Sequence, residues 1–232
     1  MPTMTLAEVR TMVRDISDLD TTDLPNSLLD TFVKEAFQRI IALERRWPFY
    51  QQTYTMNTVA NQRAYTISTI GDIREIVSVV DSSTSGNRLT LIPYEDAEEV
   101  WLGNTDVAQR PLFFTFWDGE MLLYPKPDIV YPLTIRAYRN PSYTWLSNTA
   151  TAIDIDEWFH VLLAYYALAR SYQRQEDSEL SAMYQRSFEE GVAMARRDLL
   201  KPSAHRPLLM ASGRKYPTMK RWLEQLGATL GS

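Results

Sequence analysis

Apolar positions recur every three or four residues at both ends of this chain and every second residue in its middle. Leu6, Val9, Met12, Val13 and Ile16 fall on one face at helical spacing. Thr5 with Glu8 three residues on gives the signature of a capping box. Residues 18–23, Asp-Leu-Asp-Thr-Thr-Asp, read as a polar connection. Pro25 fits the first turn of a second helix, with Asn26 or Ser27 near its start. Leu28, Leu29, Phe32, Val33, Ala36, Phe37, Ile40, Ile41 and Leu43 give that helix a broad apolar face. Arg45 and Arg46 follow, and Trp47-Pro48 stops it, because a residue before proline avoids the helical region.

Period two then takes over. Tyr50, Gln52, Tyr54 and Met56 alternate with Gln51, Thr53 and Thr55, and Ala64-Tyr65-Thr66-Ile67 forms a second strand. Residues 73–80 make a third strand, apolar on much of both faces. A Ser/Gly turn at 81–87 predicts that 88–92 returns as its hairpin partner. Residues 93–102 read as a short helix with an acidic face. Residues 112–117 and 120–124 flank Asp118-Gly119, the strongest short-range hairpin signal in the chain. Residues 131–138 give the last long strand. Six or seven strands with short turns predict a small antiparallel sandwich or barrel.

Helical spacing returns after the acidic run Asp154, Asp156, Glu157, which the helix dipole favours at a start. Trp158, Leu162, Tyr165, Tyr166, Ala169 and Tyr172 mark one face. After Asp177, a further helix carries Leu180, Met183, Tyr184, Phe188, Val192, Ala195 and Leu199 and stops at Lys201-Pro202. Pro207, Gly213 and Pro217 then argue for an extended arm. The predicted fold class is α+β. A four-helix bundle is built from both chain ends, at 1–46 and 150–201. A β domain is inserted at 47–149, and an extended basic arm occupies 202–232.

Charge sharpens this division. The 232-residue chain carries a net −5, yet residues 202–232 hold five cations against Glu224 alone. That segment is therefore +4 and the remainder −9. A basic arm on an acidic body implies a partner for the arm, either an acidic protein surface or nucleic acid. The aromatic fraction of 12% is high, and Trp and Tyr serve interfaces as well as cores. No apolar run approaches a membrane span, and the first residues lack the regions of a signal peptide, so a soluble protein is expected.

Candidate chemistry is sparse. There is no cysteine, hence no disulfide, thiolate nucleophile or zinc site built on Cys. The two histidines, His160 and His205, belong to no Ser/His/Asp set, and no HExxH or GxSxG occurs. Glu95, Asp96, Glu98 and Glu99 read as a solvated helix face before a cation site, since a metal needs convergent ligands. Asp154, Asp156 and Glu157 read as a helix cap. Eight glycines form no phosphate-binding loop. No enzymatic activity and no cofactor are expected.

Three stretches resemble the head-to-tail adaptor proteins of tailed bacteriophages, of the tail tubular protein A or gatekeeper type. One is Arg45-Arg46-Trp47-Pro48-Phe49 running into Gln51-Gln52-Thr53-Tyr54-Thr55-Met56. The second is Asn61-Gln62-Arg63-Ala64-Tyr65-Thr66-Ile67 leading to residues 73–79. The third is Ile155-Asp156-Glu157-Trp158-Phe159-His160 running into Ala164-Tyr165-Tyr166-Ala167-Leu168-Ala169-Arg170. The resemblance implies a virion protein of the phage neck, made in the host cytoplasm. It implies a dodecameric ring of neighbouring copies, with the portal protein on one side and a tail nozzle or tail tube protein on the other. DNA would pass through a central channel without sequence-specific binding. The arm supplies the expected portal contacts: Arg206, Arg214, Lys215, Tyr216, Arg221, Trp222 and Leu223. The alternative is a nucleic-acid-binding β-domain protein that uses the basic tail.

Overall fold

A computed structural model describes residues 4–83, 86–101 and 107–200. The chain divides into two compact units. One runs up to Tyr50 and resumes at Asn140, and the other spans Gln51–Arg139.

The first unit is helical. Helix α1 (Leu6–Ser17) begins with the capping box anticipated from its sequence. The Glu8 amide donates to Thr5 Oγ1 at 3.3 Å, and the Thr5 amide donates to Glu8 Oε2 at 2.7 Å. These bonds satisfy two amides that a helix start otherwise leaves without partners. The helix ends at Asp18, which adopts a left-handed conformation at φ 54°. Helix α2 (Asn26–Leu43) follows Pro25 and buries Leu29, Phe32, Val33, Ala36, Phe37, Ile40 and Ile41. The later helices α6 (His160–Arg174) and α7 (Ser178–Leu199) complete the set. Helix α6 lies at the centre, packed against α1, α2 and α7, and accordingly buries nine of its 15 residues.

Two aromatic knots lock this unit. Trp47 is fully buried, donates from Nε1 to the Ile40 carbonyl at 3.0 Å, and meets Phe49 and Phe159. Trp145, on the short helix α5 (Thr144–Ser147), is equally buried and sits edge-on to Phe37. The second knot places residues 140–149 with the helical unit, whereas the sequence assigned them to the β domain. Tyr50 likewise departs from its predicted strand. It lies in a 3-10 turn, buried, and its hydroxyl donates to the Asp154 carbonyl at 2.8 Å. Ion pairs tie the helices further. Arg10 grips Asp30 with two bonds of 2.7 and 2.6 Å, and Arg170 reaches Glu35 at 3.1 Å.

The second unit contains two sheets. Strands β1 (Gln51–Asn57), β7 (Pro132–Arg139) and β3 (Ile73–Asp81) form an antiparallel sheet in the order β1-β7-β3. Strands β2 (Ala64–Thr66), β6 (Glu120–Tyr124), β5 (Phe113–Trp117) and β4 (Thr90–Leu91) form the other in that order. Both contribute to one core containing Val79, Leu133 and Ile135 from the first sheet and Tyr65, Met121 and Leu123 from the second. The arrangement is sandwich-like, not a closed barrel. It is also not wholly antiparallel, because β4 pairs with β5 in parallel.

That parallel pair corrects the hairpin predicted for 88–92. Arg88 bridges Val80, and the Leu89 amide donates to the Val79 carbonyl, but the chain then crosses to the other sheet. The crossing buries Leu89 and Ile92 in two different clusters, which a simple hairpin could not do. Asp118 and Gly119 take positive φ values of 47° and 74°, as a tight two-residue hairpin turn requires. A short helix, α3 (Ile67–Ile70), replaces the end of the second predicted strand, and α4 (Tyr94–Trp101) follows Pro93. Gly71 ends α3 so close to Tyr54 that an added Cβ would stand 2.2 Å from the ring.

Candidate interaction surfaces

The residues that could carry chemistry are used for structure. His160 opens α6 and is buried, and its Nδ1 accepts the Met4 amide at 3.0 Å. Burial lowers its pKa, opposed by the carbonyls of Ile153 and Ile155 and the charges of Asp156 and Glu157. The neutral ring therefore fastens the chain's first described residue to the helical unit. Ile153 helps, donating its amide to the Met4 carbonyl at 3.0 Å. Asp154 accepts the Ser142 amide at 2.6 Å, and Asp156 accepts the Trp158 amide at 3.1 Å. Of the acidic run read from the sequence as a helix cap, only Asp156 caps, and it caps the 3-10 turn Glu157–Phe159 ahead of α6; Asp154 instead fastens the segment before α5.

The strongest polar cluster of the β unit is structural too. Asp81 is buried, accepts from Arg110 Nε at 2.8 Å and from the Ser83 amide at 2.9 Å. Burial would raise its pKa, but the Ser83 bonds and Arg110 outweigh that and leave it lowered. The Arg110 guanidinium also stands over the Tyr131 ring. The cluster ties the end of β3 to the segment before β5 and to the start of β7. Among the described residues, no three His, Asp or Glu side chains are grouped to hold a metal ion.

The surfaces are more informative. Val59, Ile129 and Val130 are exposed on two neighbouring loops at 53, 57 and 60%. These loops are held firmly. The Asn61 amide donates to the Pro127 carbonyl at 2.7 Å, the Thr58 amide to the Tyr131 carbonyl at 2.9 Å, and the Tyr131 amide to Thr58 Oγ1 at 2.8 Å. Tyr65 accepts the Val59 amide at 2.9 Å. Loops fixed this way present their apolar side chains in one shape, which favours docking over collapse.

A second surface lies at the β4 edge. Trp117, 57% exposed, stacks on Tyr94 with ring centroids 4.3 Å apart. Beside the pair is a groove of about 380 Å³ lined by Leu91, Ile92, Pro93, Tyr94, Thr115 and Phe116. Glu95, Asp96 and Glu98 stand exposed on the adjoining α4. The Tyr94 hydroxyl is hydrogen-bonded to Glu98, which raises the tyrosine pKa. The side chain of Glu99 lies outside the described residues. In the sequence Trp117 is one of five aromatics within residues 112–124. Its position directly before Asp-Gly, where a hairpin tip projects, was the signal that separates it from the buried Phe113 and Phe114.

The portal-contact candidates Arg206, Arg214, Lys215, Tyr216, Arg221, Trp222 and Leu223 all lie outside the described residues, as does His205. No described helix is long and apolar enough to cross a membrane.

A helical unit interrupted by a two-sheet unit, with polar clusters spent on fastening loops and apolar groups offered on rigid ones, defines a structural subunit built around its faces. The chain matches the family model described as SU10 adaptor protein over residues 4–210 and belongs to that family. The match covers both units and bears out the resemblance to phage head-to-tail adaptors. The chain is thus a structural adaptor of a phage virion and interacts with other head and tail proteins. No curated protein matches the chain.

Proposed function

We propose that this protein forms a ring in the phage neck, between the portal and the tail nozzle or tail tube, around a channel through which the genome passes. The observation that carries the reading is the adaptor-family match across nearly the whole chain. Physical features support it. A closed ring of identical subunits uses head-to-tail contacts, so each copy needs two different adhesive faces. The rigid Val59/Ile129/Val130 loops and the Trp117 edge are two such faces on one unit. In the family picture the ring holds twelve copies. The helical unit and the arm dock on the portal, and the β unit faces the tail or the neighbouring copy. The body outside residues 202–232 carries −9, which repels phosphates and suits passage of DNA without capture.

The arm residues Arg206, Arg214, Lys215, Tyr216, Arg221, Trp222 and Leu223 make the portal contact in this reading. Changing Arg206, Arg214, Lys215 and Arg221 together to alanine should leave a folded subunit that fails to join capsids. Its particles should lose packaged DNA. Particles that mature with DNA retained despite this variant would remove the arm from the portal contact.

A further inference from the structure

Two short segments build the Trp117 edge, residues 89–98 and 112–124. Together they hold five carboxylates, Glu95, Asp96, Glu98, Asp118 and Glu120, and neither contains a lysine or arginine. Arg88 and Lys126 stand just outside these segments; within them the charge is of one sign, in contrast to the usual interspersion of both. The groove lining is mainly apolar and includes Tyr94, on which Trp117 stacks, and Leu91, 54% exposed. Strand β4 is only two residues long and forms the outer edge of its sheet. The Thr90 and Ile92 amides donate to the carbonyls of Leu112 and Phe114. Strand geometry then leaves the intervening Leu91 backbone on the open side. An extended segment could therefore pair along the edge and place alternate side chains in the groove. The fitting occupant is extended, cationic and partly apolar.

The chain itself contains such a segment. Residues 202–232 carry Arg206, Arg214, Lys215, Lys220 and Arg221 against one carboxylate, a net +4. They also contain Pro207-Leu208-Leu209-Met210 and Trp222-Leu223, suited to an apolar groove. We propose that in the free subunit residues 202–232 fold back onto the Trp117 edge of the same chain. Guanidinium and ammonium groups meet the exposed carboxylates of α4, an arginine stacks on Trp117, and the leucines enter the groove. Thirty-one residues can extend to roughly 100 Å, so the tether itself permits the contact. Tethering also favours the same chain over a second copy, because a flexible link supplies an effective concentration of about millimolar. The contact rests on the adaptor reading in one respect only. The same cations would serve the portal, so portal docking and the folded-back state exclude each other. The free subunit is then held from assembling until a portal competes for the segment.

Limited trypsin digestion of the full chain tests this, since the five cations of the segment are its cleavage sites. In the wild type at low salt, cleavage within 202–232 should be slower by about tenfold than in a Glu95→Gln/Asp96→Asn/Glu98→Gln variant. Trp117→Ala should give a similar release, and added salt should abolish the protection in the wild type. All altered side chains are exposed or at the surface, and unchanged thermal melting would confirm that both variants fold. Equal cleavage rates in the wild type and both variants would overturn the proposal. Protection that grows with protein concentration would overturn it as well, by placing the segment on a second copy. The adaptor reading fails separately. A chain with a protected segment that never joins a portal contradicts that reading alone, and an unprotected segment in a chain that does join contradicts only the folded-back state.

Discussion

The helical and β units solve the same problem, burying apolar surface, in ways that leave different exteriors. The helical unit gathers Leu, Val, Ala and aromatic side chains around one central helix, and its exposed apolar groups are scattered along it, as with Ile16, Leu43, Met183 and Met194. The β unit splits its strands between two small sheets whose edges and connecting loops stay accessible. Its exposed apolar groups cluster on those edges and loops, at Val59/Ile129/Val130 and at Leu91/Trp117. A helix satisfies its own backbone, whereas a sheet ends in an unpaired edge that must be blunted or used. The comparison teaches that the β unit gathers its exposed apolar groups on edges and loops, whereas the helical unit carries them singly, with Trp158, 66% exposed, the foremost of them.

The sharpest way to break that comparison is to damage the core of each unit in turn. Trp145→Ala removes a fully buried indole and should cost the helical unit about 3–5 kcal/mol. Calorimetry or hydrogen exchange should show the loss in α1, α2, α6 and α7 first. An equal loss of protection in β1–β7 would contradict two separately cooperative units. Arg110→Ala strands the buried Asp81 carboxylate and should cost the β unit about 2 kcal/mol, less than a full buried pair because Arg110 keeps some solvent contact. A urea titration followed by strand-specific probes would measure it.

Smaller effects sharpen the picture. Thr5→Ala removes half of the capping box and should lower stability by about 1 kcal/mol, read as a shift in urea midpoint with unchanged slope. Acidification gives a related effect through His160. Its folded pKa is depressed, so below about 6.5 the unfolded chain takes up a proton that the folded chain refuses. Stability should therefore fall as pH drops from 7 toward 5.5, by on the order of 1 kcal/mol, and the slope should flatten in His160→Gln. Asp81 responds in a lower window, where protonation of its depressed carboxyl removes stability only as the pH enters the acid range below 4. Trp117→Ala should change stability least, within about 0.5 kcal/mol, because the side chain is mostly exposed. A large loss there would mean that Trp117 holds the fold and is not a docking group.

Where the sequence could be read, one local rule settled the outcome. The Thr5/Glu8 box and the Asp118-Gly119 hairpin each depend on a few neighbouring residues, and both are present, whereas α2 already ends at Leu43, with Glu44 extended, before the stop expected at Trp47-Pro48. The parallel β4–β5 pair was not legible. Residues 88–91 alternate much as a hairpin strand does, and only the long-range choice of burial sites for Leu89 and Ile92 sends them to the other sheet. Residues 140–149 misled for a similar reason. Nothing near Trp145 in sequence announces that Phe37, more than a hundred residues earlier, will be its partner. The acidic face of α4 was visible, but its meeting with Trp117 required the two segments to be brought together in space.

Electron microscopy of the full chain mixed with its purified portal tests the central claim most directly, namely that this protein acts through assembled faces. The account predicts a closed ring seated on the portal, with density from the basic arm at the contact. Solitary subunits that leave the portal bare, at protein concentrations well above those of assembly, would contradict it.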